Sequence, residues 1–379
     1  MKKVLLIHTL YRNFGGEDSA VESEVQLLNK NYRVEKLLFD NSKKLNFFDF
    51  INFLFLTNLK SNRILAKKIN EYSPDIIYIH NLWFKGSLGL INEIRKHDIP
   101  TVIKIHNFRY LCCNTYFSKK HIGNNLFCPA CGMKKTFLFN KYFEESYLKS
   151  FFVIRFSKKL YKVFKQSNFN LLLLTNHHKQ ILINNNFQEK KLFIFPNYIS
   201  NKSTPNTNIK NQFVYAGRIS KEKGVEELIA SFLSLNLSNF KLKILGTGPD
   251  LKRLKAKYNL KNVEFSGFKE NKEVINEVQN STAVVSATKL YEGQPTLLCE
   301  ASLSSIPVIF PKNGGISEFL PKNYEFLFKQ NNYNELQQAM LNIINSDFKE
   351  IGKENYEFIR SVIDKEKLLS IFEEATKDK

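Results

Sequence analysis

The chain has 379 residues, a mass of 44.3 kDa and a formal net charge of +20, with 43% hydrophobic and 24% charged residues. This length suits two domains with full cores, and the apolar runs are shorter than the roughly 18 residues that would span a bilayer. Five cysteines are too few for a disulfide framework in a chain this long, which predicts a protein of the reducing cytoplasm.

The net charge of +20 fits an anionic partner such as nucleic acid, an anionic membrane or a phosphorylated substrate. A composition rich in Lys, Asn, Ile and Phe explains part of this charge without any partner. The sequence has no RNA-reading aromatic strand motif, helix-turn-helix or zinc finger. We therefore expect no nucleic-acid ligand.

Short apolar runs alternate along the chain with amphipathic stretches of helical length. Such runs are typical of parallel strands that are buried on both faces and joined by helices. The predicted strands are KVLLIH, PDIIYIHN, PTVIKIHN, NLLLLTN and KLFIFPN in the first half, and QFVYAGR, KLKILGTG, VEFSGF, AVVSAT and PVIF in the second. Two successive sets of strands predict two doubly wound, Rossmann-like α/β domains.

The segment between the two sets, residues 196–211, is rich in Pro, Asn, Ser and Thr and poor in apolar residues. That composition is typical of a linker. We therefore predict an N-terminal domain over residues 1–195 and a C-terminal domain over residues 212–379. The last helix of the chain could pack back on the N-terminal domain.

The residues that directly follow the predicted strands are the candidates for a ligand site, because open α/β sheets bind ligands outside the carboxyl ends of their strands. Gly15 and Gly16 follow the first strand, and His106 follows PTVIKI. His80 also follows a strand, but we assign it no role. Since glycine and polar residues gather after strands in both halves, we expect a central cleft lined by both domains.

The segment YAGRISKEKG places two cations, Arg218 and Lys223, between a predicted strand and the start of a helix. Cations beside the unpaired N–H groups of a helix N-terminus form a site for a diphosphate. The alternative is a solvated basic loop with no ligand.

The segment YEGQPTLLCE carries two isolated carboxylates, Glu292 and Glu300, on either side of a Gly-x-Pro turn. Pro295 favours a helix start, which puts Glu300 about one turn inside the helix. A carboxylate there could accept the vicinal hydroxyls of a ribose, while the Thr296 and Leu297 amides meet a phosphate. The alternative is that Glu300 caps the helix or pairs locally.

The order GR-x4-KG, LGxGP, V-x-F-x-G and E-x7-E, followed by a Pro-Val strand and a Gly-Gly turn, resembles glycosyltransferase family 4. The resemblance extends to the N-terminal GGEDSAVESEVQLL and PDIIYIHNLW, and so covers nearly the whole chain. It implies the GT-B fold and a retaining glycosyltransferase, of hexosyl or N-acetylhexosaminyl type, that uses a nucleotide-diphosphate sugar. The segments EGQP and HNFRYLC resemble those of capsule, O-antigen and exopolysaccharide transferases, which implies a glycan or polyprenyl-linked acceptor.

The resemblance also implies the roles of individual residues. Gly15 and Gly16 bind the donor, with Gly16 letting the diphosphate approach the N-terminal domain, and His106 contacts the donor sugar. The alternative for His106 is a histidine bonded within the core. Arg218 and Lys223 neutralise the charge on the leaving diphosphate, and Glu300 binds the ribose. The sugar hydroxyls and the phosphate are bound by Glu292 with the amides of Thr296 and Leu297. No metal is required for this chemistry.

Four of the five cysteines fall within twenty residues, beside a histidine. A Cys-x2-Cys pair with an upstream Cys or His would satisfy a structural zinc ion. The candidate ligands are Cys112, Cys113, His121, Cys128 and Cys131. Such an ion would hold a loop and take no part in catalysis.

The stretch 149–165 predicts a helix with aromatic and lysine side chains on opposite faces. Its apolar face comprises Phe152, Phe156, Leu160 and Phe164, and its basic face Lys158, Lys159, Lys162 and Lys165. This pattern predicts a helix that lies on anionic lipid, and hence a cytoplasmic protein peripheral on the inner face of the cell membrane. Core packing with a solvated basic face is the alternative.

Two other classes of protein compete with a glycosyltransferase. One is a non-catalytic nucleotide-sugar-binding or scaffold protein of a polysaccharide assembly complex, and the retained Arg218, Lys223, Glu292 and Glu300 argue against it. The other is an NAD-dependent sugar-modifying enzyme. It would need GxGxxG after the first strand, which HTLYRNFGGEDSA lacks.

Overall fold

The computed structural model describes residues 1–377 apart from 12–14, 42–50, 53, 113–132, 134–138, 140, 142, 144–145, 167 and 201–208. The chain divides into two compact units. The first unit comprises Met1–Tyr198 with Lys365–Lys379, and the second comprises Ile199–Asp364.

The first unit is built on a parallel sheet of six strands in the order β2-β1-β3-β4-β5-β6. The strands are β1 (Lys3–Leu10), β2 (Arg33–Asp40), β3 (Ile76–Ile79), β4 (Thr101–Ile105), β5 (Asn170–Leu173) and β6 (Leu192–Ile194). The helices between them are α1 (Gly16–Leu28), α2 (Leu59–Tyr72), α3 (Gly89–Ile94), α4 (Tyr147–Gln166) and α5 (Asn176–Asn184). Alternate residues of β1 enter different apolar clusters, Leu5 and Ile7 on one face and Val4 and Leu6 on the other. The sheet is therefore covered on both faces, as its continuous apolar runs predict.

The second unit repeats the architecture, with strands in the order β12-β11-β10-β7-β8-β9. The strands are β7 (Lys210–Ala216), β8 (Lys241–Leu245), β9 (Val263–Gly267), β10 (Ser281–Val285), β11 (Val308–Lys312) and β12 (Leu327–Lys329). The helices are α6 (Val225–Ser234), α7 (Leu251–Lys257), α8 (Asn271–Gln279), α9 (Thr296–Leu303), α10 (Tyr333–Ile344) and α11 (Phe348–Val362). The predicted fold class, two α/β units with doubly wound parallel sheets, is thus confirmed.

The last helix, α12 (Lys365–Ala375), belongs to the first unit. Its Leu368 and Phe372 lie in the same apolar cluster as Val4 and Leu6 of β1. The side-chain amide of Asn170 in β5 donates to the α12 carbonyl of Ala375 at 2.7 Å. The first unit therefore takes its final core residues from the C-terminal end of the chain.

Two strands were absent from the predicted set, β2 and β12, and both lie at sheet edges. β2 carries Arg33, Glu35 and Lys36, and its exposure alternates instead of forming a buried run. β12 has only three residues. Edge strands need bury less surface than central ones, so they lack the continuous apolar signal on which the prediction relied.

The helix predicted over residues 149–165 exists as α4, but its apolar face does not lie on lipid. Phe152, Phe156 and Phe164 are buried, and Phe156 and Phe164 pack in the core beneath the sheet. The interpretation of this face as a membrane surface is therefore wrong, because side chains that fill a core cannot also insert into a bilayer. The lysine face is largely exposed. Within the described residues, none of the helices combines the length and the apolar character that a membrane span needs.

Candidate active site

The carboxyl ends of the strands in the second unit gather the predicted site residues. The strand order reverses direction where β7 and β10 lie side by side. Arg218 follows β7, and Glu292 lies in the loop that follows β10. This is the topological switch point at which open α/β sheets bind ligands.

Glycines let the loops at this edge pack backbone against backbone. A Cβ atom on Gly224, which has φ +66°, would lie 2.0 Å from the carbonyl oxygen of Ala287. A Cβ atom on Gly314 would lie 2.0 Å from the carbonyl oxygen of Glu292. The loops after β7, β10 and β11 therefore pack closely against one another. A side chain larger than that of glycine at position 224 or 314 would prevent this packing.

Lys223 and Glu292 form one ion pair, with 2.7 Å between Nζ and Oε1. The Thr288 hydroxyl donates to the same Oε1 at 3.2 Å, and the backbone N–H of Gly315 donates to the Glu292 carbonyl at 3.0 Å. The side chains of Lys223 and Glu292 are 29% and 20% exposed. The sequence predicts that Lys223 binds the diphosphate and that Glu292 binds the sugar and phosphate. In the structure the two side chains pair with each other, and an entering anion could reach this pair and separate it.

Arg218 lies on the same side of the switch point with an exposed side chain. Its backbone carbonyl accepts a hydrogen bond from the Tyr215 hydroxyl at 2.9 Å. Burial, followed by the charges of Glu292 and Glu222, raises the pKa of Tyr215, which keeps this hydroxyl a donor. The backbone of Arg218 is thus held while its guanidinium extends into solvent.

Glu300 is the fifth residue of α9 and is only 8% exposed. Its Oε1 accepts from the Asn271 side-chain amide at 2.8 Å, and burial raises the pKa of its carboxyl. Asn271 lies 29 residues away at the start of α8, so this contact is not the local pairing that the sequence left open. The structure therefore keeps a buried carboxylate acceptor beside the switch point.

Thr296 and Leu297 are the first two residues of α9. Pro295 precedes them and offers no side-chain acceptor to cap the helix. Because the first N–H groups of a helix have no intrahelical partner, these two amides are suited to a phosphate.

In the first unit, Gly15 precedes α1 and Gly16 begins it. The Gly15 amide donates to Asp18 Oδ2 at 2.8 Å, and Asp18 Oδ1 lies 2.9 Å from His8 Nε2. The glycine turn is therefore held by a buried carboxylate–histidine pair that the sequence analysis did not identify.

His106 follows β4, and its Nε2 lies 2.9 Å from Nδ1 of His80. Burial lowers the pKa of His106 to about 4, with the nearby carboxylate of Glu17 acting in the opposite direction. His80, to which the sequence analysis gave no role, is therefore in direct contact with a predicted site residue. The two histidines are 26 residues apart, and no local motif signals their contact.

Of the predicted zinc ligands, only Cys112 is among the described residues, and it is buried. Cys113, His121, Cys128 and Cys131 lie outside them. In the described part of the chain, no group of three or more His, Cys, Asp or Glu side chains could hold a metal ion.

One part of the chain matches a known protein family. Residues 199–360 match the family model described as glycosyl transferases group 1. No curated protein matches the sequence.

Solved structures match the chain at low sequence identity. HepE from Anabaena, in complex with UDP and glucose, is 14% identical, with a TM-score of 0.71 over 98% of this chain and 99% of that one. Sucrose-phosphate synthase from Thermosynechococcus elongatus is 13% identical, with a TM-score of 0.70 over 98% of each chain. TarM from S. aureus is 19% identical, with a TM-score of 0.60 over 84% of this chain, which spans 59% of TarM. These matches show a common fold, GT-B. Within that fold, residues 199–360 form a glycosyl transferases group 1 domain, which confirms the domain that the resemblance to glycosyltransferase family 4 predicts.

Proposed function

We propose that the protein is a retaining glycosyltransferase that moves a sugar from a nucleotide-diphosphate sugar to a glycan or polyprenyl-linked glycan acceptor. The observation that carries this proposal is the set of ligand groups at the switch point within the matched domain. Two reachable cations, two unpaired helix amides and one buried carboxylate lie at the carboxyl ends of the same sheet. They match the charges and hydroxyls of a nucleotide-diphosphate sugar.

Each group has a proposed role in binding the donor. Glu300 accepts hydrogen bonds from the ribose hydroxyls, and the Thr296 and Leu297 amides bind a phosphate. Lys223 and Arg218 bind the diphosphate and stabilise the charge that grows on it as the sugar leaves. Released from Lys223, Glu292 accepts hydroxyls of the sugar.

The proposed roles in the first unit come from the family resemblance. His106 contacts the donor sugar, and the turn at Gly15 and Gly16 admits the diphosphate. The reaction breaks the bond between the anomeric carbon and the diphosphate and forms a bond to the acceptor oxygen on the same face. A departing phosphate oxygen takes the acceptor proton, so no enzyme nucleophile and no metal are needed.

The proposed pathway is surface polysaccharide biosynthesis, in which the sugar is hexosyl or N-acetylhexosaminyl. Support comes from EGQP and HNFRYLC, which resemble capsule, O-antigen and exopolysaccharide transferases. A lipopolysaccharide outer core galactosyltransferase, WaaB, shares the fold with a TM-score of 0.61 at 16% identity. The zinc ligands Cys112, Cys113, His121, Cys128 and Cys131 stay a prediction, which metal analysis of the purified protein would test.

Thermal stabilisation by a panel of UDP-, GDP-, ADP- and dTDP-sugars tests the donor, because a ligand of the folded state raises stability by mass action. We begin with UDP-glucose, since HepE has been solved with it. Release of free nucleotide, with and without a glycan acceptor, then tests catalysis. Stabilisation without turnover would favour the scaffold protein, and the absence of both would contradict the proposal.

We also propose that the protein is cytoplasmic and contacts an anionic membrane through charge alone, because the apolar face of α4 is buried. The helix has no acidic residue, and several of its cations are exposed. Each cation near an anionic surface contributes roughly 1 kcal/mol of attraction, which salt screens within about 10 Å at 0.1 M.

Sedimentation with phosphatidylserine vesicles tests this contact. The variant replaces Lys158, Lys159, Lys162 and Lys165 by Gln, which preserves helix propensity. A control variant with the same change in net charge replaces four exposed lysines of the second unit, Lys252, Lys255, Lys261 and Lys272. We expect the first variant alone to leave the vesicles and to keep its donor binding. If both variants sediment with the vesicles to the same extent as the parent protein, the membrane contact is contradicted.

A further inference from the structure

A chain of buried polar side chains runs through the first unit and ends at His106. Lys104 Nζ donates to Glu24 Oε1 at 2.8 Å, and the Tyr78 hydroxyl donates to Glu24 Oε2. His80 Nε2 lies 3.5 Å from Glu24 Oε2, and His80 Nδ1 lies 2.9 Å from His106 Nε2. Glu24, Lys104 and His80 are all buried, so the contacts among them are shielded from water.

The contacts of Glu24 set the direction of the hydrogen bonds along this chain. Glu24 accepts from an ammonium and a hydroxyl, so it acts as a carboxylate. His80 Nε2 has no hydrogen-bond partner among the described residues, but it lies 3.5 Å from Glu24 Oε2, where a lone pair would meet negative charge and a proton is favoured. His80 Nδ1 is then the acceptor, and His106 Nε2 must donate to it. Both rings are neutral, because burial lowers the pKa of His80 well below its usual value and that of His106 to about 4.

This direction leaves Nδ1 of His106 with a lone pair. That atom is buried and has no hydrogen-bond partner among the described residues. Of the nearby groups, Glu17 and Asp18 raise the pKa of His106, whereas Lys104 and His8 lower it. The two oxygens of Glu17, however, accept from the Tyr11 hydroxyl at 2.7 Å and from the Asn107 amide at 2.9 Å. The nitrogen that makes a hydrogen bond, Nε2, therefore decides the tautomer.

We propose that His80 is a positioning residue that holds His106 as its Nε2–H tautomer, so that Nδ1 accepts a hydrogen bond from a hydroxyl of the bound sugar. This inference rests on the proposed function for the identity of the ligand. An acceptor nitrogen repels a phosphate or carboxylate oxygen and attracts a hydroxyl. The group that His106 recognises is thus a sugar hydroxyl and not the diphosphate.

Nitrogen-15 NMR of histidine-labelled protein at pH 7 tests the tautomer without any substrate. The His106 signals are assigned from their loss in His106→Gln. We expect the proton on Nε2 and a bare Nδ1. A proton on Nδ1, alone or in an imidazolium, would overturn the proposal, and this readout stands whether or not the protein transfers sugar.

Two substitutions of His80 then test positioning in the parent reaction. Gln can accept from His106 through Oε1 and donate to Glu24 through its amide, so His80→Gln preserves the hydrogen-bond direction. Phe can keep the ring stacking, in which the two centroids are 5.1 Å apart at 25°, but has no nitrogen. We expect His80→Phe to lower kcat by about ten- to a hundredfold, as a misplaced group does, and His80→Gln to restore most of it.

Donor-nucleotide affinity and the unfolding midpoint of each His80 variant separate positioning from stability. We expect nucleotide affinity to stay unchanged in both variants. If His80→Phe lowers only the unfolding midpoint and keeps the parent kcat, His80 is a structural residue and the proposal is wrong. If the parent itself transfers no sugar to any acceptor, the proposed function fails while the tautomer measurement still decides the role of His80.

Discussion

The two units share one architecture but use the polar residues near their strand ends in opposite ways. In the second unit, Lys223 and Glu292 form a single pair that water reaches, and Arg218 is exposed. In the first unit, Glu24, Lys104 and His80 are buried, with Lys104 bonded to Glu24 and His80 bonded to His106. A site that captures a charged ligand needs charges that can exchange partners, whereas a site that orients a group needs partners that cannot move.

Histidines make the same contrast. All seven lie within residues 1–198, and residues 199–364 contain none. Neutral imidazoles in buried positions supply directional hydrogen bonds, and lysine and arginine supply charge. Of the seven, His8, His80 and His178 are buried, so the interior of the first unit holds imidazole groups that the second unit lacks.

Removing the exposed cations should give the largest effect. We expect Arg218→Ala and Lys223→Ala each to lower turnover on the order of 10²–10³, as the loss of one electrostatic stabiliser does. Steady-state kinetics with the best donor of the panel measures this effect. Lys221→Ala is the matched control, because Lys221 is an exposed cation in the same short helical turn as Lys223. Equal losses of turnover in all three variants would mean that the overall positive charge of this region, and not a specific diphosphate site, supports the reaction.

The packed loops of the second unit give the next prediction. Gly224→Ala places a Cβ against the Ala287 carbonyl at positive φ, and should lower the free energy of unfolding by about 3 kcal/mol or more. Gly267 has a similar φ of +71° but no atom within 4 Å of the added Cβ. Gly267→Ala should therefore cost only about 1 kcal/mol. Urea unfolding followed by circular dichroism compares the two, and similar losses would show that the loop contact is unimportant.

Acid should weaken the first unit through its buried histidines. Burial lowers the pKa of His178 to about 3, so below its unfolded value of roughly 6.5 the unfolded chain gains a proton that the folded chain refuses. Stability therefore falls as the pH is lowered, by about 2 kcal/mol between pH 6.5 and 5 for this one group. Fluorescence of Trp83, the single Trp, reports unfolding of the first unit. His178→Gln should lose stability less steeply over this range, and an unchanged slope would exclude His178 as the cause.

The two glutamates of the second unit give the smallest predicted effect. Glu300→Ala removes the ribose acceptor and should weaken both the free nucleotide and the nucleotide sugar by about tenfold, the loss of one hydrogen bond to a charged group. Glu292→Ala also frees Lys223 and should spare the free nucleotide while weakening the nucleotide sugar. Calorimetry with both ligands measures the difference. Equal weakening of the bare nucleotide by both variants would contradict the separate roles.

The sequence predicted those parts of the molecule that depend on neighbours along the chain. The central strands β1, β3 and β10 each contain a short apolar run, and Arg218, Lys223, Glu292 and Glu300 fall within two short motifs. These four residues cluster because they follow strands whose carboxyl ends lie side by side in the sheet. The acceptor at Glu300 and the pairing of His80 with His106 depend on contacts across 29 and 26 residues.

Long-range contacts of single side chains leave no periodic signal, so the sequence does not reveal the contacts of Asn271 and Glu24. The lysine-rich helix shows the converse error. Its Phe spacing predicts a lipid face, but the same spacing suits a core, and only the surrounding residues distinguish the two. Amphipathic periodicity tells where a helix is apolar and not what covers it.

The return of α12 to the first unit makes the second unit an insertion within the first. A ribosome releases residues 1–198 long before Leu368 and Phe372, which fill the core beside β1. The second unit, contiguous in sequence, can complete its core as soon as it emerges. During synthesis the second unit can therefore complete its core first, while the face of the first unit that α12 covers stays open until that helix is made.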